Sequence, residues 1–303
     1  MTSTQESARP RLGGWTSWIT LALALTAPGL AQATTMDILY ERTVMTAANS
    51  RCALFEPPVA AALDAGRAQA RNAALRGGAD SSALAAVEQR AQSKAARTPC
   101  ASPDLITAAA RVRDAFEGYA KITRMAYPGD IIGWRADRGA GKAIRWRLAQ
   151  EVLFGWNRMT FGLAGMDGEG ALVAVADFPD GAQPYSARMV LRDIDRSAGP
   201  YLDRRGADLN GRLPLARRLP PAFALKTYTA QVRSTAGVDL AAKGARNAWA
   251  FRFPQDAAQQ LAALDPREAI AVDFLFPDDS VRRAFVEVGD FAAGKAFLQV
   301  AQR

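Results

Sequence analysis

The sequence has no histidine, only two cysteines and, after residue 33, no apolar run long enough to span a bilayer. Without histidine the chain cannot build Ser-His-Asp or Cys-His catalytic sites, and two cysteines supply only half of a tetrahedral zinc site. We therefore expect no metal and no cofactor. A hydrolase built from this chain would depend on carboxylates, lysine, tyrosine or an N-terminal nucleophile, and the composition favours a protein that is not an enzyme.

Two further catalytic patterns are incomplete. Residues 140–142 resemble the end of a phosphate-binding loop, but Ala136 and Ala143 stand where that loop needs Gly and then Ser or Thr. No serine after residue 33 has a lysine three positions later. Asp193 and Asp195 are predicted to share one strand face, and the arginines around them favour ion pairs over acid–base catalysis.

The first 33 residues have the three parts of a secretory signal. Arg9 and Arg11 precede an apolar stretch at 15–30, and residues 31–33 read Ala-Gln-Ala, the small-x-small form of a cleavage site. We expect cleavage before Thr34 and export, to the periplasm in a Gram-negative bacterium and otherwise to the medium. The rival interpretation is an uncleaved anchor, but the stretch is shorter than the roughly 20 apolar residues of a bilayer span.

Cys52 and Cys100 are the only cysteines. In an exported protein such an even pair predicts a disulfide, and the alternative is two free thiols.

The chain is basic. Its formal net charge is +8, and loss of Arg9, Arg11 and Glu6 with the signal leaves +7. This charge favours anionic surfaces, although an arginine-rich composition that serves only solubility is the alternative. We expect a partner protein of the envelope or an anionic lipid or glycan, and no nucleic acid.

The hydrophobic pattern changes near residue 128. Residues 34–127 have apolar positions at spacings of three and four, which predicts four helices, with the disulfide across the hairpin of the second and third. Residues 128–303 alternate in short runs between turn residues, which predicts antiparallel strands and two short helices, the second of which closes the chain at its C-terminal end. The predicted class is α+β: a signal peptide at 1–33, a disulfide-stapled helical subdomain at 34–127 and a sandwich-like β-rich domain at 128–303.

Two regions offer candidate binding residues. The segment 196–221 is rich in arginine and glycine, and arginine clusters bind phosphates and carboxylates. Between 127 and 161, aromatic residues alternate with arginines; there Trp146 is expected to share a buried face with Ile144 and Leu148. The candidate binding residues are Arg204, Arg205, Arg212, Arg217, Arg218, Trp134 and Trp156.

The order of elements from residue 251 to the end (strand, short helix, two strands, closing helix) resembles the invasion-associated locus B family of exported bacterial proteins. The resemblance covers the last sixth of the chain, includes no diagnostic residue and implies no function. The sequence therefore predicts an exported, non-enzymatic binding protein of the envelope, and the alternative is a hydrolase of envelope glycans that uses carboxylates.

Overall fold

A computed structural model describes residues 28–166, 170–202 and 212–300. Most of the predicted signal, residues 1–27, lies outside the described residues. The helices are α1 (Pro28–Cys52), α2 (Pro57–Arg76), α3 (Ser81–Arg97), α4 (Pro103–Ala120), α5 (Gln255–Ala262) and α6 (Phe291–Gln299). The strands are β1 (Arg124–Tyr127), β2 (Trp134–Asp137), β3 (Arg145–Phe154), β4 (Asn157–Gly165), β5 (Ala171–Asp177), β6 (Ser186–Arg192), β7 (Leu225–Thr229), β8 (Val232–Thr235), β9 (Ala248–Arg252), β10 (Ala269–Leu275) and β11 (Val281–Glu287).

Local signals define the ends of the first helices. Pro57 and Pro103 occupy first-turn positions, where a missing N–H costs nothing. Asp80 caps α3 by accepting a hydrogen bond of 3.1 Å from the N–H of Ser82. Helix α1 packs against both α2 and α3, and buried alanines let the helix backbones approach one another closely. The predicted α+β class, with a helical first region followed by a β-rich one, is confirmed, although β1 lies inside the range 34–127 that was predicted to be helical.

Cys52, at the end of α1, and Cys100, just before α4, form a disulfide with a Cα–Cα distance of 5.7 Å. The predicted pairing is confirmed. Among the described residues, no helix has both the length and the apolar character that a membrane crossing demands.

Within the described ranges, eleven antiparallel strands form two sheets. The larger has seven strands in the order β1-β2-β3-β4-β5-β9-β8, and the smaller has four in the order β11-β10-β6-β7. Their inner faces share one core, in which the rings of Phe154 and Phe274 stack at 5.6 Å and Phe178 packs edge-on to both. Helices α5 and α6 complete this core, since Leu261, Phe291 and Phe297 are fully buried in it.

The buried carboxylates of the β-rich part each contact an arginine. Asp273, on β10, lies between Arg188 on β6 (3.0 Å) and Arg283 on β11 (2.5 Å). The other pairs with both partners largely buried are Arg192–Glu268, Arg76–Asp290 and Arg218–Glu287, whereas Asp193 pairs with the exposed Arg196. A buried charge without a partner is costly, so much of the arginine content serves folding.

A bulge at Arg147 changes the predicted register of β3. Trp146 pairs with Ala164, whereas Leu148 pairs with Leu163, so one extra residue separates them. Trp146 consequently packs on the outer face of the large sheet, and Leu148 lies in the inner core. The prediction that Trp146 and Leu148 share one face is wrong, because the bulge shifts the alternation of inward and outward side chains along β3 by one residue.

Candidate functional site

Trp134 was predicted as a binding residue, which requires an exposed side chain, but the structure places it in the core, 1% exposed. Its indole N–H donates to the carbonyls of Glu287 (3.1 Å) and Val288 (3.0 Å), and its ring packs against Phe291 at 5.1 Å. The prediction is wrong because Trp134 points to the inner face of β2, where the two sheets and α6 meet. Trp134 stabilises the fold and offers no surface to a ligand.

The arginine segment at 196–221 divides into inner and outer residues. Arg218 is 3% exposed and donates to Asp130 (3.0 Å) and to the carbonyl of Leu213 (2.7 Å), so it is part of the interior. Arg212 and Arg217 are exposed. Arg204 and Arg205 lie outside the described residues. The described part of this segment therefore presents a weaker positive surface than its composition predicted.

The pair Asp193 and Asp195 does not lie on a strand, because β6 ends at Arg192. Asp193 contacts Arg196 (3.7 Å), and Asp195 contacts Lys226 (3.8 Å). Asp193 thus pairs with a neighbouring arginine, as predicted, whereas the partner of Asp195 is a lysine of β7.

Trp156 lies at the tip of the β3–β4 hairpin and is 96% exposed. Phe154 pairs with Asn157, so Gly155 and Trp156 form a two-residue turn. Gly155 has φ +60°, the conformation that such turns require at their first central position. Of the two candidate tryptophans, Trp156 is the one available to a partner.

A cleft of about 820 Å³ lies on the outer face of the large sheet. Strands β1 to β4 form its base, and the segment 240–243, which runs over the neighbouring part of the same face, forms one wall. The indole N–H of Trp146 donates to the carbonyl of Leu240 (3.0 Å) and holds that wall in place. The cleft is thus formed by residues that are far apart in the sequence.

Small residues create the hollow. Ala126 pairs with Arg135, Arg135 with Ala149, and Ala149 with Gly162, so three of the four residues in this row across the sheet are Ala or Gly. Gly162 has φ +152°, and a Cβ there would lie 1.9 Å from the carbonyl oxygen of Leu148. Gly162 is therefore required opposite the bulge, where the strands approach closely.

The cleft has more positive than negative side chains. Its cations are Arg124, Arg135, Arg158 and Lys243, and its carboxylates are Asp137 and Glu151. Arg124 bonds to Asp137 at 2.8 Å, and Arg135 contacts Glu151. Within the described part of the chain, Arg158 and Lys243 form no ion pair, although Arg158 lies opposite Asp177 in the sheet.

Asp137, one of the two cleft carboxylates, is held in its charged form. Burial would raise the pKa of Asp137, but hydrogen bonds from the N–H of Gly139 and from Arg124 lower the pKa below its ordinary value. A carboxylate that stays ionised cannot serve as a general acid at neutral pH. Across the described ranges, no three acidic or cysteine side chains converge as metal ligands would.

Arg135 and Arg158 belong to the arginines that alternate with aromatic residues between 127 and 161, but the sequence pattern did not predict the cleft. The available signal was the alternation at 124–126 and 135–137, which places charged and small residues on one strand face. The contribution of Lys243 was not predictable, because that residue lies in a loop that only the tertiary fold brings to the cleft.

Comparison with protein-family models, curated proteins and solved structures finds no match to this chain. The strand–helix–strand–strand–helix order from β9 to α6 is as predicted, and the resemblance to the invasion-associated locus B family is a likeness in the order of elements alone.

Proposed function

We propose that the protein is exported and binds an anionic ligand in the outer-face cleft, without catalysing a reaction. The observation that carries this proposal is the set of four cations against two carboxylates over a floor of small residues. Guanidinium groups bind phosphate and carboxylate through two parallel hydrogen bonds, and they stay charged at any physiological pH.

The ion pairs already in the cleft are compatible with ligand binding. The side chains of Arg124, Arg135 and Glu151 are exposed, and an exposed pair stabilises a protein by only about 0–1 kcal/mol. A ligand with several negative groups can therefore displace these internal contacts. Arg158 and Lys243 form no ion pair within the described residues, so a ligand has no internal contact of theirs to displace.

Two features support export. Residues 1–33 have the form of a signal peptide, and the Cys52–Cys100 disulfide suits an oxidising compartment. The glycan hydrolase remains the alternative, but both carboxylates of the cleft are engaged by arginines, which favours binding.

The test is calorimetric titration of the chain 34–303 with inositol hexakisphosphate, a compact soluble polyanion. We expect binding that weakens with added salt, because exposed charges are screened beyond about 8–10 Å at physiological ionic strength. The double variant Arg135→Gln/Arg158→Gln should bind at least about tenfold more weakly.

The matched control is Arg196→Gln/Arg217→Gln, which removes two exposed arginines outside the cleft. It should bind as the parent does. If the control loses as much affinity as the cleft variant, binding depends on net charge and the cleft is not the site. If the parent shows no salt-sensitive binding, the proposal is wrong.

A further inference from the structure

We propose that the anionic ligand is the surface of a phospholipid membrane, and that the tip of the β3–β4 hairpin inserts into it as an apolar anchor. This inference rests on the proposed anion-binding function of the cleft, and it adds the partner and the way the protein is oriented on it. The hairpin tip is defined here as residues 153–156.

The tip exposes two large apolar side chains. Leu153 is 77% exposed, and Trp156 is 96% exposed. Exposure of apolar side chains of this size to water is unfavourable, so covering them with an apolar partner stabilises the bound state. The indole of tryptophan favours the boundary between lipid headgroups and acyl chains, because one edge is polar and the ring is apolar.

The tip is held by the core and is not a frayed end. The ring of Phe154 packs against Phe274 at 5.6 Å and against Phe178 at 6.2 Å. The side-chain amide of Asn157 donates to the carbonyl of Phe154 (3.2 Å), and Arg282 bonds to Asn157 (3.3 Å). The hairpin therefore presents Leu153 and Trp156 in a fixed orientation, which lowers the entropy lost on binding.

The cleft opens on the same hairpin. Leu153 lies directly opposite Arg158, a cleft residue, on adjacent strands. Arg135 contacts Glu151 on the same hairpin. Glu151 precedes Leu153 by two residues on β3, so it lies about 7 Å further from the tip than Leu153 does. When the tip enters the interface, Arg158 is the first of the cleft arginines to reach the lipid headgroups. Arg135 lies further from the acyl chains, on the water side of Arg158.

A lipid surface fits this arrangement better than a folded protein does. The tip exposes two large apolar residues, too little area for a standard protein interface of about 800 Å² on each partner. Reversible membrane binding instead requires a modest apolar anchor combined with basic residues facing anionic lipids. The net charge of +7 for the chain without its predicted signal adds long-range attraction to such a surface.

The experiment measures sedimentation of the chain 34–303 with vesicles of mixed phosphatidylglycerol and phosphatidylcholine, and with vesicles of phosphatidylcholine alone. We expect partitioning to the mixed vesicles, weakened by salt. Leu153→Ser/Trp156→Ser should lower the partition coefficient at least about tenfold. The same variant should bind inositol hexakisphosphate as the parent does, because it leaves the cleft cations in place.

Phe223→Ser is the matched control, since Phe223 is 78% exposed and lies outside both the hairpin and the cleft. It should partition as the parent does. Quenching of tryptophan fluorescence by lipids labelled on the acyl chain should be strong in the parent and lost in Trp156→Phe.

The outcomes separate the two proposals. If the parent binds inositol hexakisphosphate but not mixed vesicles, the membrane inference is wrong and the anion-binding function stands. If neither probe binds, both are wrong. Equal partitioning of the hairpin variant and the parent would overturn the anchor. Dimerisation through the tip without vesicles, abolished by the hairpin variant, would show that a second copy covers it and would also overturn the inference.

Discussion

The guanidinium carbon of Arg138 lies 4.1 Å from the centre of the Phe297 ring, so a loop residue of the β-rich part packs on the C-terminal helix. The same side chain donates to the carbonyls of Ile122 (2.8 Å) and Tyr119 (2.6 Å) at the end of α4. Arg138 therefore satisfies carbonyls that the helix leaves unpaired and joins α4, the loop after β2 and α6.

Replacing Arg138 with Ala should lower the free energy of unfolding by about 3 kcal/mol, because it leaves buried carbonyls unpaired and removes a cation–π contact. Urea unfolding measures the loss. Arg124→Ala is the control: its side chain is exposed and pairs at the surface, and it should cost less than about 1 kcal/mol. Equal losses in the two variants would contradict the role assigned to Arg138.

Gly129 should not tolerate a side chain. The carboxylate of Glu287 accepts hydrogen bonds from the N–H groups of Asp130 (2.6 Å), Ile131 (2.9 Å) and Ile132 (2.8 Å), so the loop wraps tightly around it. A Cβ at Gly129 would lie 2.1 Å from the carbonyl oxygen of Ile132 and 2.9 Å from Cδ of Glu287.

Gly129→Ala should therefore destabilise the protein by about 2 kcal/mol or more. Gly118→Ala is the matched control, since Gly118 is inside α4 and a Cβ there would meet no atom within 4 Å apart from its chain neighbours and the backbone of its own helix. It should be neutral or stabilise by up to about 1 kcal/mol. The melting temperature should fall in Gly129→Ala and stay the same or rise in Gly118→Ala, as thermal unfolding of the two variants will measure.

The stability of the protein should depend on Asp273 in acid. Burial would raise the pKa of this carboxyl, but Arg283 and Arg188 lower the pKa below its ordinary value. Because the folded state holds the proton more weakly than the unfolded state, the charged carboxylate stabilises the fold above about pH 4. That contribution is lost as the pH falls through the lowered pKa.

Asp273→Asn should cost about 3 kcal/mol or more at neutral pH, since it leaves two arginines facing a neutral amide. The difference in unfolding free energy between parent and variant should shrink as the pH falls below about 4. Urea titrations at neutral and acid pH measure it. A difference that stays constant over that range would show that the carboxyl does not titrate with folding.

The disulfide should contribute to stability through the unfolded chain. Its cysteines are separated by 48 positions, and a closed loop of that length corresponds to about 4 kcal/mol in the chain-entropy account. Cys52→Ala/Cys100→Ala should lower the free energy of unfolding by about that amount, and urea unfolding measures the loss. The non-reduced parent should show no free thiol in the folded state.

Export predicts a defined mature N-terminus. The residues 31–33 favour cleavage before Thr34, so N-terminal sequencing of the secreted or envelope fraction should begin there. Recovery of Met1 in that fraction would contradict a cleaved signal.

Some of the fold could be predicted because its signals are local. Pro57, Asp80 and Pro103 start helices by their own backbone and side-chain chemistry, and the structure places them at those positions. The register of β3 could not be predicted, because the bulge at Arg147 depends on a glycine, Gly162, in the neighbouring strand. The candidate cleft was missed for the same reason, since its residues meet only after β1 to β4 pair.

The amino-acid sequence by itself determined the helical first part, the alternation of the strands and the one disulfide that two cysteines can form. Tertiary structure decided which arginines are exposed and which are buried. Arg76 meets Asp290 across 214 positions of sequence, and Arg218 turns inward to Asp130 while Arg217 stays outside. A guanidinium can be buried only where a carboxylate or a set of carbonyls faces it, and only the folded chain brings those partners together.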